Sequence, residues 1–195
     1  MANQIDQVFK KFEVPEPTIL RTEKFIGVLR SKAVLSKDIH VLDLGCGLGC
    51  TGSSIINEVK TVTFLDVTEK SKKSVCDIMT ELKTTNYEYF DQPIEQYHGE
   101  KFDLAIASLS FHHIDDYLSV IKILPSHLNE NANVIVLEII DDGIPRPNVP
   151  HRGFVPEKFC QEFLNNGFKS AEWENFGQID IHGTPHDLFI MIAKI

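Results

Sequence analysis

The segment Asp43-Leu44-Gly45-Cys46-Gly47-Leu48-Gly49 sets a carboxylate two residues ahead of three glycines at alternate positions. Glycines so spaced let backbone N–H groups approach a nucleotide-like ligand closely, because no Cβ intervenes. A second pattern overlaps the first: Gly47, Gly49 and Gly52 form the G-x-G-x-x-G of dinucleotide-binding turns. The two patterns imply different ligands, and Asp43 separates them. A carboxylate beside a pyrophosphate is repelled, whereas one beside an ammonium group is attracted. Asp66 lies 19 residues after Gly47 and 21 after Gly45. It closes the next apolar run, where an acid accepts ribose hydroxyls in either class, so it does not discriminate.

Histidines supply the candidate proton acceptors. His112 and His113 follow an apolar strand, His151 sits in a proline-rich segment, and His182 and His186 lie near the C-terminal end. His40, His98 and His127 occupy positions with no such claim. His112-His113-Ile114-Asp115-Asp116 also has metal-ligand residue types. Adjacent histidines point apart, however, and the two acids suit the start of the next helix, so no metal is expected. Cys46, Cys50, Cys76 and Cys160 show no framework spacing and are expected as reduced thiols. Arg146 and Arg152 are either solvent-facing loop charges or a grip on a carboxylate.

These residues must be positioned by alternating elements. Strands are predicted at His40–Leu44, Thr61–Leu65, Tyr87–Phe90, Phe102–Ser108 and Asn133–Glu138. The second and third pair β-branched or aromatic residues, and the fourth is nearly all apolar, as a central parallel strand should be. Helices are predicted over 51–58, Glu69–Lys83 and Leu118–Leu128, the last shortened or kinked by Pro125. Residues 139–155 carry Pro145, Pro147 and Pro150 and read as an extended loop. Pro156 then opens a helix that Gly167 closes. Two strands at 168–176 and 187–194, with a loop at 177–186, complete the chain.

The order indicates an α/β fold: a three-layer αβα, Rossmann-like doubly wound sheet, mostly parallel with an antiparallel last strand. Residues 1–195 are read as a single domain, with 1–38 a helical cap and 39–195 the cofactor-binding core. Ligands of such sheets bind outside the C-terminal strand ends. That places His112, the 139–155 loop with His151, and the hairpin loop with His182 and His186 at one edge.

Composition narrows the partners. The chain has 195 residues, 43% hydrophobic and 24% charged, with a formal charge of −9. That balance opposes nucleic-acid binding, which clustered Lys and Arg drive. Lys70, Lys72 and Lys73 form the densest basic group and read as a solvated helix face. No apolar run reaches the ~20 residues of a bilayer span, and the first residues do not read as a secretory signal. A cytoplasmic protein, a monomer or weak homodimer without nucleic-acid or membrane partners, is expected.

Val41 to Gly49 resembles motif I of the class I S-adenosylmethionine-dependent methyltransferases, close to V-L-D-x-G-C-G-x-G. Asp66-Val67-Thr68 is similar to the end of that family's second strand. Phe102-Asp103-Leu104 with Ser108-Leu109-Ser110-Phe111-His112-His113 resembles the fourth-strand motif of its small-molecule members. His151-Arg152-Gly153-Phe154 and Gly167-Phe168 resemble the late helix and strand. The likeness covers roughly residues 38 to 195, with motif I the specific part. Asn129 to Asn133 stands where many relatives have a Gly-Gly turn; asparagine tolerates the same left-handed geometry.

The resemblance implies roles. Gly45, Gly47 and Gly49, with Cys46 between them, would contact the amino acid end and ribose of S-adenosylmethionine, and Asp43 would sit near its ammonium. Asp66 would accept the ribose hydroxyls and Val67 would pack on adenine. Asp91, with Gln92, would accept from the adenine amino group; alternatively Asp91 is a turn residue before Pro93. Ser108 and Leu109 would line the pocket below the methyl group. His112 and His151 are the candidate catalytic bases, with loop anchoring as their structural alternative. Methyl transfer to a small-molecule acceptor by SN2 displacement, with no metal, is the function implied. Two alternatives stay open: a nicotinamide-dependent oxidoreductase using Gly47–Gly52, and a non-catalytic partner-binding module.

Overall fold

The computed structural model describes residues 2–146, 148–181 and 183–195. Two compact units divide at Tyr97 and His98.

In the first unit, α1 (Ala2–Lys11) and α2 (Glu16–Lys32) precede β1 (His40–Leu44), α3 (Cys50–Ile55), β2 (Thr61–Leu65), α4 (Glu69–Leu82) and β3 (Tyr87–Phe90). β1, β2 and β3 are parallel, with Asp43 level with Phe64 and Leu65 level with Phe90. Ile19, Thr22, Phe25, Ile26 and Leu29 form the buried stripe of α2, the three-to-four spacing that gives a helix one apolar face. Thr68 caps α4 by accepting from the Ser71 N–H, and Val75, Ile78 and Met79 bury its inner face. Lys83 ends it in the left-handed region at φ 54°.

The second unit contains β4 (Phe102–Ser108), α5 (Tyr117–Ile123), β5 (Leu128–Ile139), α6 (Pro156–Asn165), β6 (Ser170–Ile181) and β7 (Thr184–Lys194). β4 and β5 are parallel, whereas β5–β7 and β7–β6 are antiparallel. Phe111, Phe159 and Phe163 stack edge-on in its core, with Phe168 against Phe163. Strand order is β3-β2-β1 in the first unit and β4-β5-β7-β6 in the second, a mixed, Rossmann-like arrangement with its last strands antiparallel.

β1 to β4 run as predicted. Later elements and α3 differ. α3 ends at Ile55 instead of 58. α5 stops at Ile123 and passes into a 3-10 turn, Leu124–His127, because Pro125 lacks the N–H an α-helix needs. β5 begins at Leu128, not Asn133. The expected asparagine turn is absorbed as a bulge with Asn131 at φ 67°, while Phe102 pairs with Leu128 and Leu104 with Asn133. The loop expected at 177–186 is mostly strand, since β6 and β7 pair out to Ile181 and Thr184. A bulge between Asn175 and Gly177 keeps the register. His182, placed in that loop, lies outside the described residues.

Candidate functional site

The first unit builds a glycine cradle at the C-terminal ends of β1 and β2. Gly45, Gly47 and Gly49 all have positive φ (65°, 52° and 77°), which glycine adopts without steric cost. The Gly45 and Cys46 N–H groups donate to the Leu65 carbonyl at 2.8 and 3.1 Å, and Gly49 N–H donates to the Cys46 carbonyl at 2.8 Å. From α4, Ser71 Oγ donates to the Gly47 carbonyl at 2.5 Å and Ser74 Oγ to the Leu48 carbonyl at 3.1 Å. Tying those carbonyls to α4 immobilises the loop before any ligand arrives.

The two acids hold different parts of this loop. Asp66 accepts from Gly47 N–H at 3.0 Å through Oδ2, while its Oδ1 accepts from the N–H and hydroxyl of Thr68 at 2.9 and 2.7 Å. Asp43 is only 1% exposed and accepts from Gly52 N–H at 2.9 Å. Burial pushes the Asp43 carboxyl up to about 7, against the lowering effect of that hydrogen bond and with the Asp66 charge adding to the rise. Asp43 therefore supports the loop from inside, and its charge acts on whatever lies in the cradle.

The glycines divide by role. A Cβ on Gly52 would meet Phe64 at 2.5 Å, Asp43 Oδ2 at 2.9 Å and Val62 at 2.9 Å, and one on Gly49 would meet Val75 at 2.6 Å. Both are glycine because of packing. A Cβ on Gly47 would meet nothing within 4 Å, so this glycine faces open space that a ligand can fill. Gly52 is a packing residue whose N–H is held by buried Asp43.

Val67 is 63% exposed, an apolar side chain largely open to solvent beside the cradle. Exposed Asp91 pairs with Lys72 at 2.9 Å and accepts from Gln92 at 3.4 Å; these partners hold its carboxyl below the usual range. The Cys46 thiol contacts Ser71 Oγ at 3.3 Å. Burial raises the Cys46 thiol strongly and pushes Cys50 up to about 12, so neither is a nucleophile. A separate open cleft beside α4 and β3, lined by residues including Cys76, Met79 and Tyr87, contains none of the predicted cofactor residues. The cradle, with its glycines and acids, is the chemically equipped surface of this unit.

In the second unit Ser108 ends β4, and Leu109 follows in the left-handed region at φ 56°, its N–H donating to the Leu137 carbonyl at 2.8 Å. That conformation is costly for a leucine and is held by the strand beside it. His112 lies in a 3-10 turn, Phe111–His113, and is 6% exposed. Its Nδ1 is 2.8 Å from Oε2 of Glu138, which is fully buried. Sequence reasoning missed Glu138 as a functional group. The available signal was a lone acid inside Val-Ile-Val-Leu-Glu-Ile-Ile, a run otherwise wholly apolar.

His151 is placed differently. Its Nε2 donates to the Ile114 and Asp115 carbonyls, both at 3.1 Å, and its backbone N–H donates to the His112 carbonyl at 3.3 Å. With Tyr117 edge-on at 4.9 Å, it anchors the proline-rich loop. Arg146 and Arg152 are committed to Asp142 at 2.7 Å and Asp141 at 2.6 Å, so neither presents an unpaired guanidinium to a carboxylate. Asp116 caps α5 through Ser119 N–H at 3.1 Å, a helix start as expected. Among the described residues, no cluster of three or more His, Cys, Asp or Glu could hold a metal ion.

A parallel strand carrying a buried acid, three left-handed glycines and a second acid bonded to Gly47 are the features that resemble the class I S-adenosylmethionine-dependent methyltransferases. The methyltransferase-domain family model matches residues 20–174, and the chain belongs to that family. An O-methyltransferase of Pyrenophora dematioidea is 25% identical over 142 residues, 70% of this chain and 53% of that protein. The chain spans about half the length of the curated relatives it matches. Among solved structures, the N-methyltransferase NodS from Bradyrhizobium japonicum, in complex with S-adenosylhomocysteine, superposes with a TM-score of 0.73. It is 15% identical and covers 94% of this chain and 90% of its own. The magnesium protoporphyrin IX methyltransferase of Synechocystis, with S-adenosylhomocysteine bound, gives a TM-score of 0.72 at 15% identity, covering 98% and 93%. No helix among the described residues is long and apolar enough to cross a membrane.

Proposed function

We propose that this chain is one methyltransferase domain that transfers the methyl group of S-adenosylmethionine to a small-molecule acceptor. The observation that carries the reading is Gly47: left-handed, open where a Cβ would stand, and tied through its N–H to Asp66. When bound, S-adenosylmethionine supplies a methyl group on a sulfonium, already activated for displacement. The chain's own residues bind and orient. Gly45, Gly47 and Gly49 admit the amino acid end and ribose, and Asp43 places negative charge under the ammonium. Asp66 exchanges its Gly47 partner for, or shares it with, ribose hydroxyls. Val67 offers an apolar face to adenine, Asp91 and Gln92 its polar edge, and Ser108 and Leu109 the floor beneath the methyl group.

Positioning supplies most of the acceleration for an activated methyl. A base is needed only where the acceptor must lose a proton, and His112 is the residue we assign to accept it. His151 we assign to loop ordering, because both its Nε2 contacts are backbone carbonyls. The acidic charge of −9 supports a small acceptor over a nucleic acid.

Calorimetric titration of the pure protein with S-adenosylmethionine, S-adenosylhomocysteine and NADH tests this reading. Saturable binding of the two adenosyl ligands, with none of NADH, is expected; binding of NADH alone would overturn it, and binding of none would favour a partner-binding module. A screen of small acceptors with methyl-labelled cofactor then identifies the substrate.

A further inference from the structure

Two histidines of the second unit have side-chain partners of opposite sign. His112 Nδ1 faces a carboxylate: Glu138 Oε2 receives it at 2.8 Å and the Ile139 N–H at 3.2 Å, while Oε1 receives the His112 N–H at 3.4 Å. Facing three nitrogen donors, the Glu138 carboxylate is an acceptor throughout, so Nδ1 of His112 must carry a proton. His186 Nδ1 faces a guanidinium instead, Arg146 Nη2 at 2.8 Å. Arginine has donors only, so Nδ1 of His186 must be the bare nitrogen and the proton of the neutral ring sits on Nε2. Burial, and then the Arg146 charge, hold His186 below the usual histidine range, which keeps that ring neutral. Asp142 and Asp180 oppose this effect, and His112 is near enough for its charge to reinforce it.

We propose that Glu138 and Arg146 impose opposite tautomers on His112 and His186, presenting one imidazole acceptor and one imidazole donor to the methyl acceptor. Nε2 of His112 is left to receive a proton, and Nε2–H of His186 is left to give a hydrogen bond. Arg146 adds a buried Nε–H without a partner, a further donor on the His186 side. An acceptor matching this polarity carries a proton-bearing oxygen or nitrogen next to a second, hydrogen-bond-accepting oxygen, as in a hydroxyl beside a carbonyl. The first group would lose its proton to His112 as it takes the methyl carbon, whose bond to the sulfonium sulfur breaks to leave S-adenosylhomocysteine; the second is held by His186. Glu138 and Arg146 are positioning residues in this scheme. It rests on the methyltransferase reading above.

Two-bond proton–nitrogen correlation spectra of the full chain with labelled histidine, at pH 7.5, read the tautomers directly. His112→Gln and His186→Gln variants assign the signals. His112 is expected protonated on Nδ1 and His186 on Nε2, and Arg146→Met should move His186 alone toward a mixture. The same tautomer on both rings, or an unmoved His186 in Arg146→Met, would overturn the assignment. With S-adenosylhomocysteine present, 2-hydroxyacetophenone should perturb both Nε2 signals, and phenol only that of His112. If neither or both compounds move the pair, the acceptor class is wrong. Calorimetry with S-adenosylmethionine on the same sample keeps the questions apart: wrong tautomers with cofactor binding sink only this inference, and correct tautomers without it sink the methyltransferase reading.

Discussion

The Asp43 carboxylate and the Gly52 amide meet 2.9 Å apart beneath the glycine loop, with Asp43 only 1% exposed. One contact thereby stations a negative charge below the cradle and draws the first turn of α3 toward β1.

That buried acid makes ligand-free stability depend on pH. Burial raises the Asp43 carboxyl from 3.8 to about 7 in the folded state. The folded chain then holds a proton that the unfolded chain has released. Its contribution is fully present below about 3.8, declines as pH rises, and is gone above about 7. The span corresponds to on the order of 4 kcal/mol. Denaturant titrations from pH 5 to 8 should show stability falling, and Asp43→Asn should flatten that slope. An unchanged slope in the variant would assign the effect elsewhere.

Cofactor affinity should run the other way. A ligand ammonium favours the ionised acid, so calorimetric affinity for S-adenosylmethionine should rise between pH 6 and 8, with proton release detectable by changing the buffer. Asp43→Ala should lower affinity at least tenfold at pH 8.

Gly47→Ala and Gly52→Ala should fail in different ways. At Gly52 the new methyl collides with Phe64 and Asp43, and overpacking of that kind costs about 1–3 kcal/mol. Gly47 has room, so its alanine costs only the left-handed backbone, about 1 kcal/mol. Binding should nevertheless be lost there, because the methyl occupies ligand space. Thermal melts paired with calorimetry read both effects; a well-bound Gly47→Ala would remove Gly47 from the site.

Asp91→Ala deletes an exposed pair with Lys72. Exposed pairs contribute little to stability, so the melting temperature should hold while affinity for the adenosyl ligands falls several-fold. If instead only stability changes, Asp91 is a turn residue and nothing more.

His151→Ala should loosen the 139–155 loop, detected as faster hydrogen exchange around Ile114 and Asp115, without altering the pH profile of methyl transfer. His112→Gln should lower turnover by about 100-fold or more while cofactor affinity holds. An equal loss in His151→Ala would give both histidines the same duty.

The central strands were legible because β1, β2 and β4 are short, almost uniformly apolar runs stopped by an acid or a polar residue. The cradle was legible for a related reason, since three alternate left-handed positions strongly favour glycine. The hairpin was not. Gly177 and the charged residues around Asp180 look like a loop in one dimension, yet β6 and β7 pair from Ser170 with Lys194 to Ile181 with Thr184. Glu138 was hidden by distance: its partner His112 is 26 residues away, and no local pattern encodes that meeting. Ser71 and Ser74 were hidden likewise, reading as polar helix surface until α4 lies against the loop carbonyls.

Those two serines carry a last consequence. By drawing the Gly47 and Leu48 carbonyls toward α4, they fix the course of the loop in advance. Such a cup is preorganised. Little ordering entropy remains to be lost when a ligand enters, so the recognition surface should look the same before and after occupancy.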